Sequence, residues 1–202
     1  MTEALHTPGF SAPVRDAQRV FRAVLEAMSR PARPHPVDPG VAPPAPLGPL
    51  AGAIVLALAD AQTPVWLDPA LTRDEAAARW IRFHTGAPIV ADAWDAAFAI
   101  ASCPSAAPRL DELSAGTDEE PHLSATLVID ASDARPTGDL VATGPGVDGS
   151  LAWDGAGLPA GFLPQWRENG QRFPRGVDVL LAGRDGIVGL PRTTRLENAE
   201  AR

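Results

Sequence analysis

The chain has 202 residues, of which 45% are hydrophobic, so it can bury a substantial core and is most simply one domain spanning residues 1–202. Its formal net charge of −8 disfavours nucleic acid and anionic membranes as partners, because both attract basic proteins. The longest apolar run, residues 50–61, is shorter than the roughly 20 residues that cross a bilayer. The first ten residues lack the features of a secretory signal, so we expect a cytoplasmic protein.

An amphipathic helix and a proline-rich segment open the chain. In residues 14–29 the apolar side chains recur at helical spacing, which predicts an amphipathic helix that ends before Pro31. Residues 31–49 contain eight of the 22 prolines, which remove backbone donors and exclude a regular helix or a central strand. We expect this segment to be a solvated loop or, alternatively, an extended wrap around a neighbouring subunit.

Two more helices are predicted next. Residues 50–62 form an apolar run that predicts a buried helix. Thr72 and Glu75 have the spacing of a capping box, so a second helix should begin there and run to about Phe83. Gly86 should end it.

Runs that are apolar on both sides predict buried strands. They lie at residues 63–67, 96–102, 124–130 and 139–144, and two more flank the dipeptide Asp185–Gly186. Short helices are predicted at 107–115 and roughly 160–170, and the polar tail at 196–202 is expected to fray. This alternation predicts an α/β fold, a three-layer sandwich in which a mixed or largely parallel sheet is covered on both sides by helices.

Two arginines flank the predicted C-terminal hairpin, and their role depends on its register. If the dipeptide Asp185–Gly186 forms a two-residue turn, Arg192 falls opposite Val179. Arg192 then shares one face with Arg175. If the loop has three residues, Arg192 falls opposite Asp178 and forms a structural ion pair. Asp-Gly favours the first register, but buried charges need partners, so we rank the structural role first.

The residue types that the chain lacks exclude several mechanisms. All 17 basic residues are arginine, so a lysine Schiff base and a Walker-type phosphate loop are both excluded. Tyrosine is also absent, which removes a phenolic acid or base. The single cysteine, Cys103, has no partner for an internal disulfide, and the four histidines lack metal-ligand spacing, so we expect no metal site.

Two motifs that resemble ligand sites have more ordinary interpretations. His84 lies at a predicted helix C-terminus, where it suits a cap on the helix dipole better than a ligand or catalytic role. Residues 144–147, Gly-Pro-Gly-Val, only loosely resemble a phosphate loop, because Pro145 lacks the N–H that an anion would use. A tight turn is favoured there. The residues alone therefore indicate a complex subunit or binding module rather than an independent enzyme.

Seven stretches, taken in order, form a further pattern. They lie at residues 16–31, 63–67, 83–88, 124–129, 144–147, 173–181 and 190–194. The pairing of Phe-Pro-x-Gly-Val-Asp with Leu-Pro-Arg-Thr-Thr is the most specific part of the pattern. The pattern runs from residue 10 to residue 195 and resembles that of the carbon-phosphorus lyase subunit PhnH family.

The resemblance implies a subunit of a bacterial phosphonate-degradation complex that also contains the G, I and J subunits. With the ATP-binding L subunit, such a complex exchanges the adenine of ATP for methylphosphonate and gives α-D-ribose 1-methylphosphonate 5-triphosphate. The J subunit later breaks the carbon-phosphorus bond with an iron-sulfur radical mechanism. The family fold resembles the large domain of pyridoxal-phosphate-dependent transferases but lacks that cofactor. Members of the family form homodimers when isolated. In the complex, the subunit lies outside the main catalytic pair.

No catalytic residue and no cofactor is carried over from the family to this chain. The competing hypothesis is a stand-alone phosphoryl- or phosphonate-processing enzyme, or an anion-binding protein. Guanidinium groups bind oxyanions through paired hydrogen bonds, which motivates this alternative. Its candidate binding residues are Arg175, Asp178, Arg192, Thr193 and His84.

Overall fold

The computed structural model describes residues 7–73 and 75–199. Within them lie five α-helices: α1 Pro13–Ser29, α2 Pro49–Leu58, α3 Pro69–Thr72, α4 Ala76–Thr85 and α5 Phe162–Gln171. The amphipathic helix predicted at 14–29 is therefore confirmed, and the buried helix predicted at 50–62 is confirmed with a shorter C-terminal end. None of the helices in this part of the chain is long and apolar enough to cross a membrane.

Ten strands form two sheets in the described residues. They are β1 Pro34–His35, β2 Val65–Leu67, β3 Ile89–Val90, β4 Phe98–Ala101, β5 Thr126–Ala131, β6 Leu140–Thr143, β7 Leu151–Trp153, β8 Asp178–Gly183, β9 Gly186–Leu190 and β10 Arg195–Asn198. The larger sheet has the order β1-β9-β8-β5-β4-β2-β3. Strands β8, β5, β4, β2 and β3 are parallel, whereas β9 is antiparallel to both β8 and β1. The predicted mixed sheet is confirmed.

One face of the large sheet is covered by α1, α2 and α4. Helix α2 is buried along Ala51–Val55, and α1 contributes Val20, Val24 and Ala27 to the same core. Gly189 of β9 allows α1 to lie directly on the sheet, because a Cβ there would be 2.6 Å from the Ala27 carbonyl carbon. The absence of a side chain thus sets the distance between this helix and its strand.

The opposite face differs from the prediction of helices on both sides. It is covered by α5, short 3-10 turns and the small antiparallel sheet, whose order is β10-β6-β7. Within this layer the rings of Phe162 and Trp166 stack with centroids 5.3 Å apart. Strand β6 is the centre of the small sheet and pairs with β10 on one side and with β7 on the other, so it does not extend the large sheet. The second sheet was not predicted.

Three local predictions were wrong. Thr72 and Glu75 form no capping box: Asp68 caps α3, and Glu75 precedes α4 in a left-handed conformation without a side-chain cap. The helix predicted at 107–115 is replaced by one 3-10 turn, Leu110–Glu112, because the prolines nearby remove backbone donors. The tail does not fray from residue 196, since β10 pairs with β6 and Leu196 is buried.

Other local expectations hold. Gly86 ends α4 with a φ of +73°, and Val65–Leu67 is a strand as predicted. Residues 200–202 lie outside the described residues.

Within the proline-rich segment, β1 pairs with β9, and Leu47 is buried in the α2 core. This segment therefore follows the edge of its own sheet.

The close contact of α1 with β9 predicts the cost of adding one methyl group. Gly189→Ala should lower the free energy of unfolding by about 1–3 kcal/mol, because backbone atoms of α1 cannot move aside as a side chain can. Gly170→Ala in α5 is the matched control, since the nearest atom to its Cβ is 3.8 Å away and alanine favours helix. Denaturant unfolding measures both; an unchanged stability in Gly189→Ala would contradict the packing.

Asp16 anchors the start of α1 and gives a pH-dependent contribution to stability. Its buried carboxylate accepts hydrogen bonds from the Ala12 N–H at 2.9 Å and from Arg19 at 2.8 Å. The Ala12 N–H, followed by the charge of Arg19, holds the pKa of Asp16 below its ordinary value. Arg19 also donates to the Asp38 carbonyl, which joins α1 to the proline-rich segment.

Because folding lowers the pKa of Asp16, its carboxylate stabilises the fold at pH values above the ordinary carboxyl pKa. This contribution is lost as the pH falls through the lowered pKa. Asp16→Asn should therefore be less stable than the wild type at pH 7. Its stability should also fall less between about pH 5 and pH 2. Urea unfolding across this pH range checks the expectation, and parallel pH profiles for the two proteins would contradict it.

Candidate functional site

Asp178 and Arg192, two of the hairpin residues singled out by sequence, meet at the amino-terminal ends of the parallel strands. Asp178 begins β8, and Arg192 follows β9 in a turn that the Thr194 N–H closes by donating to the Pro191 carbonyl at 2.8 Å. In parallel sheets, ligands more often bind at the opposite, carboxyl ends of the strands. The position of this cluster therefore favours a structural role.

The observed hairpin register is neither of the two that were predicted. Gly183 lies opposite Gly186, so the two-residue loop consists of Arg184 and Asp185. Gly186 belongs to β9 rather than to the turn, with a φ of +131°. A Cβ on this residue would collide with the His35 carbonyl of β1. Gly186 is therefore needed because β9 and β1 approach each other closely at this point, and not because of the hairpin turn.

The guanidinium of Arg192 is the centre of a hydrogen-bond network. Its Nη2 donates to Asp178 Oδ2 and to Ser124 Oγ, both at 2.6 Å. Its Nη1 donates to the carbonyls of Pro121 at 3.0 Å and Pro174 at 3.2 Å, and its Nε donates to Asp178 Oδ1 at 3.2 Å. The Arg192 backbone N–H also donates to Asp178 Oδ1, at 2.7 Å.

These contacts occupy all five guanidinium N–H groups of Arg192. The side chains of Arg192 and Asp178 are 15% and 17% exposed, so the pair is largely removed from water. The Arg192–Asp178 ion pair that was expected for the three-residue loop is thus present. Arg192 reaches Asp178 from the turn after β9, however, and not from the opposite position in the hairpin. Because its donors are occupied within the protein, Arg192 is poorly suited to bind an outside oxyanion.

Asn169 of α5 holds the strand that carries Asp178. Its Nδ2 donates to the Val177 carbonyl at 2.9 Å, and its Oδ1 accepts the Val177 N–H at 2.8 Å. The Asn169 side chain is buried and replaces a missing strand partner at the start of β8. Sequence analysis missed this residue and Ser124; an asparagine inside an otherwise amphipathic helix was the available signal.

Arg175 does not share the network of Arg192 described above. Its Nε lies 3.0 Å from Asp118 Oδ1, but the geometry is not that of a hydrogen bond, and the two side chains are 42% and 72% exposed. Solvent screens such a pair strongly. Arg175 and Arg192 therefore do not form the paired guanidinium site that the first register predicted.

His84 lies on α4, away from the hairpin. Its Nε2 is 3.2 Å from the Thr7 carbonyl, to which Trp80 Nε1 also donates at 3.0 Å. The His84 ring meets the rings of Trp80 and Phe83 edge to face. This histidine fixes the N-terminal segment rather than capping the carbonyls of its own helix, and the structure does not bring it together with Asp178, Arg192 or Thr193.

The Gly-Pro-Gly-Val motif is the tight turn that was favoured. The Val147 N–H donates to the Gly144 carbonyl at 3.1 Å. Gly146 has a φ of +82°, and a Cβ there would collide with the Ser29 carbonyl at the end of α1. The glycine is therefore required by the chain's own packing, without a ligand.

A buried carboxylate at the other end of the sheet was also missed by sequence analysis. Asp68 follows β2 and accepts hydrogen bonds from the N–H groups of Ala70 and Leu71 with one oxygen. Its second oxygen accepts the Ser102 N–H, at the end of β4. Both oxygens are used to join α3 to the neighbouring strand, so Asp68 has a structural role.

A cleft of about 490 Å³ lies between α5 and the segment after β9. Thr193 lines it, together with Trp166, Arg167, Phe173, Thr194 and Arg195. Trp166 Nε1 donates to the Thr194 carbonyl at 2.8 Å and fixes one wall. The hydroxyl of Thr194 is buried and has no hydrogen-bond partner among the described residues. Of the predicted binding residues, Thr193 and Arg192 border this cleft.

The network around Arg192 predicts a large effect on stability. Arg192→Ala should lower the free energy of unfolding by about 3 kcal/mol or more, because it leaves the Asp178 carboxylate poorly paired and frees two carbonyls. Chemical denaturation measures this change directly.

Arg175→Ala is the matched control for that experiment. Its exposed pair with Asp118 should contribute less than about 1 kcal/mol. Near-native stability of Arg192→Ala, together with loss of phosphate binding or complex assembly, would overturn the structural role of Arg192.

Comparison with known proteins shows what the chain resembles. Residues 8–197 match the family described as "Bacterial phosphonate metabolism protein (PhnH)". The chain is 39% identical over 193 residues to the "Alpha-D-ribose 1-methylphosphonate 5-triphosphate synthase subunit PhnH" of Rhizobium meliloti (strain 1021), which covers 96% of each chain. It is also 34% identical over 91 residues to the "Putative C-P lyase subunit protein HtxG" of Stutzerimonas stutzeri, covering 45% of this chain and 44% of the relative.

Proposed function

The chain belongs to the PhnH family of bacterial phosphonate metabolism proteins, and we propose that it is a subunit of the complex that forms α-D-ribose 1-methylphosphonate 5-triphosphate. Its partners are the G, I and J subunits of the carbon-phosphorus lyase core, and the reaction uses ATP and methylphosphonate. The observation that carries the proposal is the similarity along almost the whole length of a relative that bears this name.

The hairpin geometry supports a subunit without a catalytic centre of its own. The best sequence candidate for oxyanion binding, Arg192, donates all of its guanidinium N–H groups to the protein itself. His84 lies elsewhere and contacts the Thr7 carbonyl. The chain is therefore better suited to a supporting role in a transferase and lyase complex than to catalysis alone.

Helix α1 offers a surface for partner subunits. Val14, Phe21 and Leu25 are 77%, 44% and 52% exposed and lie along one side of the helix, seven and four residues apart. Apolar side chains grouped on the outside of a soluble protein typically mark an interaction surface. We assign this stripe to docking within the complex, or to the two-fold contact of a homodimer when the subunit is isolated.

We further propose that the large sheet corresponds to the large domain of pyridoxal-phosphate-dependent transferases, in a form that holds no such cofactor, and that the protein acts in the cytoplasm. The parallel strands from β8 to β3 support the first statement. A chain without lysine has no amine for an internal aldimine, which supports the loss of the cofactor.

Co-expression with the G, I and J subunits, followed by size-exclusion chromatography with light scattering, tests the proposal. The wild-type chain should co-elute with those subunits, and when isolated it should have the mass of a dimer. The double variant Phe21→Glu, Leu25→Glu should lose co-elution, because it places carboxylates on the apolar stripe.

Leu123→Glu is the matched control, since Leu123 is similarly exposed but lies in a 3-10 turn outside α1. This variant should co-elute normally. A wild-type chain that never co-elutes with the other subunits would refute the proposed function.

The cleft beside α5 favours a second candidate, a stand-alone phosphoryl- or phosphonate-processing enzyme. Its lining includes Arg167, Arg195 and Thr193, groups that bind oxyanions. The purified chain alone should then convert ATP and methylphosphonate. Activity that appears only after the other subunits are added eliminates this candidate.

A further inference from the structure

We propose that the cleft between α5 and residues 191–197 binds an organic anion, with a phosphate or phosphonate group held by Arg167 and Arg195 and an aromatic or apolar part resting on Phe173. This site goes beyond the role of the chain as a complex subunit and does not depend on that role. It also replaces the pair Arg175 and Arg192, which the sequence suggested, with two other arginines.

The charges around the cleft favour an anion. Arg167 on α5 and Arg195 on β10 line it from opposite elements. Neither has an ion-pair partner among the described residues. Arg192 also borders the cleft, but its charge is paired with Asp178, and Glu197 of β10 is the acidic residue in the lining. On a chain with a net charge of −8, Arg167 and Arg195 give this cleft a local excess of positive charge.

The hydroxyl of Thr193 adds a neutral hydrogen-bonding group to the lining. Thr193 follows Arg192 in the turn after β9, lines the cleft and is partly exposed. Its hydroxyl can donate a hydrogen bond to a phosphate oxygen that the two arginines hold.

The shape and lining of the cleft point to more than a free oxyanion. Its volume of about 490 Å³ is in the range of small-molecule sites rather than of a phosphate pocket. Phe173 is 65% exposed on the rim, whereas Trp166 and Leu196 form apolar walls. An exposed aromatic ring beside two arginines suits a ligand with a flat apolar group next to its charge, such as a nucleotide.

The end of α5 explains why two arginines are needed. Gly170 and Gln171, at the C-terminus of this helix, also line the cleft. The carbonyls at a helix C-terminus carry partial negative charge and repel an anion. Only the guanidinium groups of Arg167 and Arg195 offset this field, so removing both should abolish the preference for anions.

Isothermal titration calorimetry on the isolated protein at low salt tests the site. The titrants are ATP, adenosine, methylphosphonate and inorganic phosphate. ATP should bind, adenosine should bind far more weakly because it lacks the charge, and higher salt should weaken ATP binding. Methylphosphonate or phosphate binding as tightly as ATP would overturn the proposal of an organic anion, because neither has a flat group to rest on Phe173.

The double variant Arg167→Gln, Arg195→Gln should weaken ATP binding about tenfold or more. Arg22→Gln, on the exposed part of α1, is the matched control and should bind as the wild type does. If the double variant fails to fold, Thr193→Val decides: it should keep the melting temperature, because Thr193 is partly exposed, while weakening ATP binding.

The proposal is overturned if none of the anions binds the wild type. It is also overturned if the folded cleft variants bind as the wild type does, or if Arg22→Gln weakens binding equally. Co-elution with the other subunits is measured separately, so failure of this site leaves the proposed complex role intact, and failure of co-elution leaves the site intact.

Discussion

The guanidinium of Arg192 joins two parts of the chain that are distant in sequence: the Pro121–Ser124 turn, and the short segment from the Pro174 carbonyl to Asp178 at the start of β8. At this end of the sheet the parallel strands begin, and the loops that lead into them meet around this side chain. Arg192 donates to a carbonyl in each loop, Pro121 and Pro174. The segment that leads from α5 into β8, the hairpin and the cleft wall after β9 all take their position from this network.

Much of the fold could be predicted because it depends on local patterns. Helix α1 follows from its apolar spacing, and the central strands follow from runs that are buried on both faces. The small sheet could not be predicted, because β6 pairs with β10, whose sequence lies more than fifty residues later and is polar. The hairpin register failed for a similar reason: Gly186 is required by the passage of β1, a contact between the two ends of the chain.

In the candidate site, too, local patterns could be predicted, whereas contacts between distant residues could not. Sequence analysis identified Arg192 and Asp178, and ranked their ion pair above ligand binding, because charges at buried strand ends need partners. It missed Asn169, Ser124 and Asp68, whose roles depend on backbone groups brought close only by the fold. It also gave no reason to connect Arg167 with Arg195. These two residues belong to different elements, and only the packing of α5 against the chain after β9 places them around one cleft.

The position of β9 has a consequence for biosynthesis. This strand lies between β8 and β1 and carries α1 on one face, so the first helix and the first strand have no sheet to pack on until residues 186–190 have been made. Contacts between such distant parts of a chain form slowly. During translation α2 is available early to pack against α1, but the part of α1 around Ala27 that lies on β9 stays uncovered until that strand emerges from the ribosome. The N-terminal part of this protein is therefore an expected client for chaperones until β9 has emerged.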